Sequence, residues 1–483
     1  MTALADLEPV ARLYLPAATE AMVCNRDLAT GFGGLGLDEQ KKPCVFLDMD
    51  VRRRKWRNVL GLPRKTPIYW ENVHTVEVQE LSPFLAPIRY RVTSGDGYYR
   101  DGQGQRHYFG VDEHLGGLDL KRGVTTVALR AAVLLAVVGG IGLRQVAWLL
   151  AAVFGLAVSK SSLDRWIVEA AEHLPDAEAM VRLLLGQKPV TEAHFDEIFP
   201  RGKRKRKPVL VVRDEHGRIL VTEEVEHRDE DEVVRFLEKL KRWGLSFQTF
   251  YIDHCASYAK AIKRVYPEAE IQYDYFHILQ NVWRTIWRKF VRHRKEIKRR
   301  SEAVETPWYA AKLEALAKRL WENRGLIFKF NALSEEDKTK LSELVAEDSF
   351  LGTIRSFLGR VRGIFTDSEG ELGARQRLGR LLAREEVKKS TKSGKPSAFA
   401  NAVSFLEEHF EHMITFIRVD GVKRNSLAET GMRTLRRLEQ GHDGFRTPEG
   451  RDRYVRLFQA IRYFGWDVQR RDGSLGLPAG PSN

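Results

Sequence analysis

The stretch Val190-Thr-Glu-Ala-His-Phe-Asp-Glu-Ile-Phe199 decides the fold together with two apolar runs that follow it, Pro208-Val-Leu-Val-Val212 and Arg218-Ile-Leu-Val-Thr-Glu-Glu-Val225. All three are rich in the β-branched and aromatic residues that favour strands. The second and third are joined by Asp214-Glu-His-Gly217, a composition that is typical of a tight turn. The sequence therefore predicts a strand followed by a β-hairpin.

Helices and strands alternate in the rest of this region. Residues 229–244 have an acidic start, apolar residues at helical spacing and a glycine stop, which together predict a helix. The remaining predicted elements are a strand at 247–253, a helix at 257–265 and a strand at 271–276. The order over residues 189–277 is thus β-β-β-α-β-α-β, a five-stranded α/β arrangement.

Two aspartates in this region are candidates for chemistry. Asp196 lies in the middle of the first strand, where aspartate is disfavoured, and Asp253 ends the fourth strand. Carboxylates at these places can approach each other, and they repel unless a divalent cation such as Mg²⁺ neutralises them. The alternatives are an exposed edge-strand residue for Asp196 and an ordinary turn residue for Asp253.

A third acid, Glu429, lies in Lys423-Arg-Asn-Ser-Leu-Ala-Glu-Thr-Gly-Met-Arg-Thr-Leu-Arg-Arg437, which predicts a helix. Helical spacing puts Glu429 on one face with Arg433 and Arg436, so the carboxylate can bind metal while the arginines hold phosphates. Ser426-Leu-Ala-Glu429 is also a capping-box pattern, which alone would explain the glutamate. Glu439 and Asp274 are the next acids to consider if that alternative holds.

Two further sets of polar residues are compatible with a metal site. By strand alternation His194 shares the face of Asp196 and can lie beside its ligands, whereas Glu197 points to the other face. Asp48 and Asp50 also share one strand face and form a rival metal pair. The sequence around that pair offers no third acid in an obvious place.

The order of elements and the local sequence resemble the RNase H-like catalytic domain of DDE transposases from bacterial insertion sequences. The resemblance spans roughly residues 140–466. It is carried by Asp253-His-Cys-Ala-Ser-Tyr258, Tyr273-Asp-Tyr-Phe-His-Ile278 and Arg424-Asn-Ser-Leu-Ala-Glu429. It implies that Asp196, Asp253 and Glu429 hold two Mg²⁺ or Mn²⁺ ions per active site, with Asp274 and His277 beside them.

The resemblance also implies a function. The expected reaction is hydrolysis at each transposon end, which frees a 3′-OH, followed by attack of that hydroxyl on target DNA. The expected DNA partner is double-stranded and comprises the terminal inverted repeats of the transposon and the target DNA. The chain is also expected to act on DNA as a homodimer or higher oligomer. The alternatives are a metal-dependent nuclease of the same fold without strand transfer, and a non-catalytic DNA-binding protein derived from a transposase.

Basic residues outside the sheet predict DNA binding. Residues 143–150 and 159–166 indicate two short helices with a turn, either a helix-turn-helix that contacts DNA through Lys160 and Arg165 or a plain helical hairpin. The other predicted DNA-binding residues are Arg201, Lys203, Arg204, Arg284, Arg288, Arg292, Lys295, Arg433 and Arg436. Solvated charged surface is the alternative for each of these groups.

These assignments divide the chain as follows. We expect a small β-rich or mixed domain at 1–120, a helix-turn-helix-like domain at 121–187, the first part of the catalytic domain at 188–280, a basic helical insertion at 281–415, the final catalytic helices with Glu429 at 416–470, and a flexible tail at 471–483. No N-terminal cysteine zinc motif is present, although some related families carry one, so the module that recognises transposon ends is left open.

Composition agrees with a nucleic-acid partner. The 483 residues include 79 Lys and Arg against 65 Asp and Glu, a net charge of +14, which favours nucleic acid over a membrane. Three scattered cysteines are too few for a disulfide framework or a four-cysteine zinc site, which fits a cytoplasmic location. The most apolar run, residues 131–143, is too short to span a bilayer.

Overall fold

The computed structural model has two units, and each is described by itself. The first comprises residues 1–188, 199–209 and 432–483, and the second comprises residues 189–198 and 210–431. The structure describes residues 25–37, 43–80, 88–115, 117–199, 207–328, 333–388, 396–419, 425–441, 445 and 447–465. The basic turn with Arg201, Lys203 and Arg204, and the tail at 471–483, lie outside these residues.

A sheet of seven described strands begins the first unit. Its strands are β1 (Ala29–Leu37), β2 (Pro43–Asp50), β3 (Ile68–Gln79), β4 (Ile88–Arg100), β5 (Arg106–Phe109), β6 (Leu118–Asp119) and β7 (Val124–Thr125). Their order is β1-β2-β4-β3-β7-β6, and β5 pairs with β4. Trp56, on the short helix α1 (Trp56–Val59), is buried in the core of this sheet with Tyr90 and Val92.

Four helices follow in the same unit. They are α2 (Thr126–Val133), α3 (Leu143–Phe154), α4 (Lys160–Glu172) and α5 (Ala177–Gln187). Gly155 ends α3 in the left-handed conformation that glycine adopts without strain, and the Ser159 side chain caps α4 by accepting a hydrogen bond from Ser162 N. The two helices and the turn that the sequence predicts at 143–166 are therefore present.

The second unit contains a five-stranded sheet with the predicted order of elements. The strands are β8 (Glu192–Ile198), β9 (Val209–Arg213), β10 (Ile219–Glu224), β11 (Thr249–Ile252) and β12 (Glu270–Tyr273), and helices α6 (Glu230–Arg242) and α7 (Ala256–Val265) lie between the last three. The spatial order is β10-β9-β8-β11-β12, with β8, β11 and β12 parallel. This mixed content fits the RNase H-like fold that the sequence predicts.

Two local features differ in how well the sequence predicts them. The hairpin turn is confirmed: buried Asp214 accepts hydrogen bonds from His216 N and Arg218 N, and Gly217 has the positive φ of 74° that the turn needs. The strand predicted at 271–276 instead ends at Tyr273. It ends there because the Asp274 side chain accepts a hydrogen bond from Phe276 N and starts a helix.

A series of helices follows β12 in the second unit. They are α8 (Tyr275–Ala303), α9 (Pro307–Glu322), α10 (Arg324–Phe328), α11 (Glu335–Glu347), α12 (Ser349–Thr366), α13 (Gly370–Leu382), α14 (Glu385–Lys388), α15 (Ala398–Met413) and α16 (Thr415–Arg418). The long helix α8 buries Val282, Ile286 and Phe290 on one face. Every helix in the described ranges is too short or too polar to cross a membrane.

Two helices complete the described chain, α17 (Ser426–Gly441) and α18 (Pro448–Phe464). Residues 426–431 of α17 belong to the second unit, and the Arg213 guanidinium from β9 donates a hydrogen bond there to Leu427 O. Gly431 permits this approach, because a Cβ at that position would overlap Arg213 Cδ. In the first unit, α18 packs against α4 and α5.

Candidate active site

The register of three parallel strands brings three aspartates to one edge of the sheet. Ile252 of β11 pairs with Phe195 of β8 on one side and with Tyr273 of β12 on the other. The next residue along the chain is an aspartate in all three cases: Asp196 lies within β8, and Asp253 and Asp274 directly follow β11 and β12. These three aspartates are called the acidic cluster below. The expected approach of Asp196 and Asp253 is therefore present, and Asp274 joins them.

The surroundings of these carboxyl groups favour the protonated form. Burial, and after it the negative charge of Asp253, raises the pKa of Asp196 to about 8. A hydrogen bond from Glu197 N opposes this shift. Burial and the charge of Asp274 raise the pKa of Asp253 to about 7. Such a pair of carboxyls is stabilised in the charged form by a cation.

A donor set for that cation is present. One oxygen each of Asp253 and Asp274 and one ring nitrogen of His277 lie within 4.8 Å of one another. His277 Nε2 is 3.2 Å from Asp253 Oδ2, and the two Asp274 oxygens accept hydrogen bonds from Phe276 N and Asn425 N. Carboxylate oxygens in this arrangement match the ligands that Mg²⁺ and Mn²⁺ prefer.

The neighbouring residues on β8 divide between the two faces as strand alternation predicts. Glu197 accepts a hydrogen bond of 2.5 Å from Tyr258 Oη of α7 and forms an ion pair with Arg228. His194, on the face of Asp196, is 1% exposed, and its Nδ1 lies 3.0 Å from Asn425 Oδ1. Glu197 is thus held by Tyr258 and Arg228, and its negative charge adds to the rise in the pKa of Asp196 and of Asp253.

Glu429 and Asn425 belong to the same segment of chain. Glu429 lies on α17, and Asn425 is the residue directly before that helix. Asn425 is 3% exposed and contacts both β8 and Asp274, a role that the sequence analysis did not identify. The only signal in the sequence is its place in the segment that carries Glu429.

The rival metal pair is neutralised by arginines. Arg91 Nε donates to Asp48 Oδ1 at 2.7 Å, and Arg52 binds both carboxylate oxygens of Asp50. A carboxylate held by a guanidinium in this way already has a counter-charge. The structure therefore gives Asp48 and Asp50 a structural explanation.

The predicted DNA-binding residues that the structure describes are solvent-accessible. Lys160 and Arg165 are exposed on α4, and Arg433 and Arg436 are exposed on α17. Arg284, Arg288, Arg292 and Lys295 are exposed along α8, opposite the face that buries Ile286 and Phe290. Two aromatic residues of the same helix are not part of this exposed face, because Phe290 is fully buried and Trp287 packs on Phe290 and Phe328.

A mixed sheet whose parallel strands bring acidic groups together fits the RNase H-like fold of a DDE-type transposase. The model of one family, described as Transposase, matches residues 195–450, which include the whole acidic cluster and Glu429. The chain belongs to this family, the ISL3 family of DDE transposases.

Comparisons with solved structures and with curated proteins give less information about the family of this chain. The chain is similar to the Drosophila P element transposase in its strand transfer complex, at 12% identity and a TM-score of 0.32, over 75% of this chain and 94% of that chain. A TM-score that low carries no weight for the fold. None of the curated proteins compared with the chain matches it.

Proposed function

We propose that this protein is an active transposase that cleaves DNA at transposon ends and joins the freed 3′ ends to target DNA. The observation that carries the proposal is the acidic cluster formed by Asp196 within β8 and by Asp253 and Asp274 directly after β11 and β12. Two of its carboxyls have raised pKa values because they are buried beside further acids. Folding such a cluster costs stability, which a cation-dependent phosphoryl-transfer site explains and a structural role does not.

The ligands we assign are Asp196, Asp253 and Glu429, with Asp274 and His277 against them. When bound, two divalent ions would activate the attacking oxygen and stabilise the leaving oxygen of the phosphodiester. The contribution of the chain is to hold Asp196 and Asp253 in a fixed register on neighbouring strands and to keep Asp253 within reach of His277. Mg²⁺ is the ion we expect, with Mn²⁺ as a substitute.

The same residues would serve both chemical steps. In the first step water attacks the phosphodiester at the transposon end, and the 3′ oxygen leaves with a proton. In the second step that 3′-OH attacks a phosphodiester of the target, and a target 3′ oxygen leaves in its place. The number of phosphodiester bonds is unchanged in the second step, so no covalent protein intermediate and no external energy source are required.

Exposed basic residues provide the DNA surface in this proposal. Arg284, Arg288, Arg292 and Lys295 follow one another along the solvent face of α8 at a spacing that tracks a phosphate backbone. Lys160 and Arg165 on α4 would contact the terminal inverted repeats in the manner of a helix-turn-helix. Arg433 and Arg436, which are exposed on α17, would hold further phosphates of the DNA.

The proposal is tested with purified protein and DNA that carries the inverted repeats flanking its coding region. We expect Mg²⁺-dependent nicks at the repeat ends and joined products with a target plasmid, both abolished by a chelator and by Asp253→Asn. Glu238→Gln, a change to an exposed acid on α6, serves as the matched control and should retain both products. Nicks without joined products would indicate a nuclease, and DNA binding with neither product would indicate a non-catalytic protein.

A further inference from the structure

Asn425 makes three hydrogen bonds, one to Asp274 and two to neighbouring residues of β8, and it is only 3% exposed. Its backbone N–H donates to Asp274 Oδ2 at 3.2 Å. Its side-chain Nδ2 donates to Phe195 O, also at 3.2 Å, and its Oδ1 accepts from His194 Nδ1 at 3.0 Å. Every polar atom of the side chain is thereby used.

These partners are the immediate neighbours of the proposed metal ligands. Phe195 directly precedes Asp196 on β8, and Asp274 is itself a member of the acidic cluster. Glu429 follows Asn425 by four residues, which is about one helical turn or 6 Å along α17. Asn425 is therefore the residue at which β8, the end of β12 and the Glu429 helix are joined.

The chemistry of the contact requires an amide. Because Nδ2 donates to a carbonyl, Oδ1 faces His194, and His194 Nδ1 must carry the proton in this bond. An aspartate at position 425 could accept from His194 but could not donate to Phe195 O, and an alanine could do neither. The ring of His194 is fixed in turn by stacking on Tyr251 of β11, with ring centroids 4.5 Å apart.

We propose that Asn425, held by His194, is a positioning residue that sets the Glu429 helix against β8 and the end of β12, so that Glu429 converges with Asp196 and Asp253 on the metal ions. This inference rests on the proposed function, since it concerns the geometry of that reaction. Asn425 touches neither DNA nor metal in this role. It acts through the carboxylates that it places, as outer ligands of metal sites commonly do.

The test compares Asn425→Ala with Asn401→Ala, an exposed asparagine on α15. Mn²⁺ binding is measured by calorimetry on the DNA-free protein, and cleavage of end DNA is measured as kcat and KM. We expect Asn425→Ala to weaken Mn²⁺ binding about 10- to 100-fold and to lower kcat with KM for DNA unchanged, whereas Asn401→Ala changes neither. A role in stability alone would shift the melting temperature without this separation of kcat from KM.

A second pair of variants covers the case in which Asn425→Ala fails to fold. An asparagine amide nitrogen takes the place of His Nδ1, so His194→Asn retains the donor to Asn425 and His194→Leu removes it. We expect His194→Leu to lose Mn²⁺ affinity and kcat, and His194→Asn to restore most of both. Equal behaviour of the two His194 variants would overturn the proposal.

The outcomes separate this inference from the proposed function. If Asp253→Asn loses Mn²⁺ binding and cleavage while Asn425→Ala behaves as wild type, the reaction is as proposed and Asn425 has no positioning role. If Asp253→Asn also binds Mn²⁺ and cleaves as wild type does, the assignment of the site fails and the positioning role fails with it.

Discussion

Asp196 and Asp253 each carry a carboxyl group that gives up its proton less readily in the folded protein than in the unfolded chain. The raised pKa values, about 8 and about 7, mean that the folded state binds protons more tightly. Their contribution to stability is complete below the unfolded pKa, near 4, and is lost as the pH rises through the folded values. Without a metal ion, this arrangement therefore lowers the stability of the folded protein at neutral and alkaline pH.

We predict that the melting temperature of the protein in chelator falls between pH 5 and pH 8 more steeply than that of Asp196→Asn. At pH 8 the variant should be the more stable of the two, because it buries one charge fewer. Mg²⁺ should raise the melting temperature of the wild type, and more so at pH 8 than at pH 5, since the ion competes with protons. Parallel pH profiles with no effect of Mg²⁺ would show that the two carboxyls do not share a cation site.

Glu429 has two explanations that a single substitution separates. As a capping residue its role survives in glutamine, which serves at that position too, whereas a metal ligand needs the negative charge. We predict that Glu429→Gln folds and binds transposon-end DNA as wild type does, while cleavage and strand transfer fall by orders of magnitude. Asp196→Asn and Asp253→Asn should be equally inactive, and combining the changes should add little, because the three act as one unit.

The structure also ranks the acids that would replace Glu429 if this variant cleaved normally. Glu439 is buried in the first unit, 3.7 Å from Arg451 Nε, so a guanidinium already supplies its counter-charge. Asp274 lies in the acidic cluster with Asp253 and His277. Asp274→Asn is accordingly the next variant to assay for cleavage.

At the scale of elements, the strands were the easiest part to predict. β9 and β11 are buried along their whole length, and apart from Arg213 and Thr249 their residues are apolar or aromatic. Both strands end at recognisable turns. Asp274 was harder, because the two residues after it, Tyr275 and Phe276, extend the strand-like pattern past the point where the helix begins. Its membership of the acidic cluster follows from the strand register, which a single sequence does not contain.

The long helix α8 provides a prediction about DNA affinity. Neutralising Arg288, Arg292 and Lys295 together should reduce the steepness of a plot of log affinity against log salt concentration. The slope should change by about 0.9 for each phosphate contact that is lost. Neutralising the exposed residues Arg235, Lys338 and Lys340, each of which is already paired with a glutamate, removes the same charge and should leave that slope unchanged. The slopes are measured by titrating end DNA at several salt concentrations, and equal slopes for both triple variants would place the DNA elsewhere.

At the scale of the whole molecule, the site depends on contacts between distant parts of the sequence. Asn425 is 231 residues from His194 and 151 residues from Asp274, yet it hydrogen-bonds both. The residue types and the order of the strands indicate where Asp196 and Asp253 meet, since both follow from local patterns. The role of the asparagine that joins them to the Glu429 helix does not follow from its local pattern, because an asparagine directly before a helix is an ordinary capping residue.

At least two chains should act together on the two ends of a transposon. Joining both ends of a transposon to one target needs two 3′-OH groups held together, and the described residues of one chain contain one acidic cluster. We therefore expect Glu429→Gln, which should bind but not cut, to form a stable complex of at least two chains with two end duplexes. Light scattering after size-exclusion chromatography gives the mass, and a duplex with a scrambled repeat is the control. The prediction is wrong if Glu429→Gln forms only a complex of one chain with one duplex while the wild-type protein still joins both ends to the same target. Pairing of the ends would then not require a second copy.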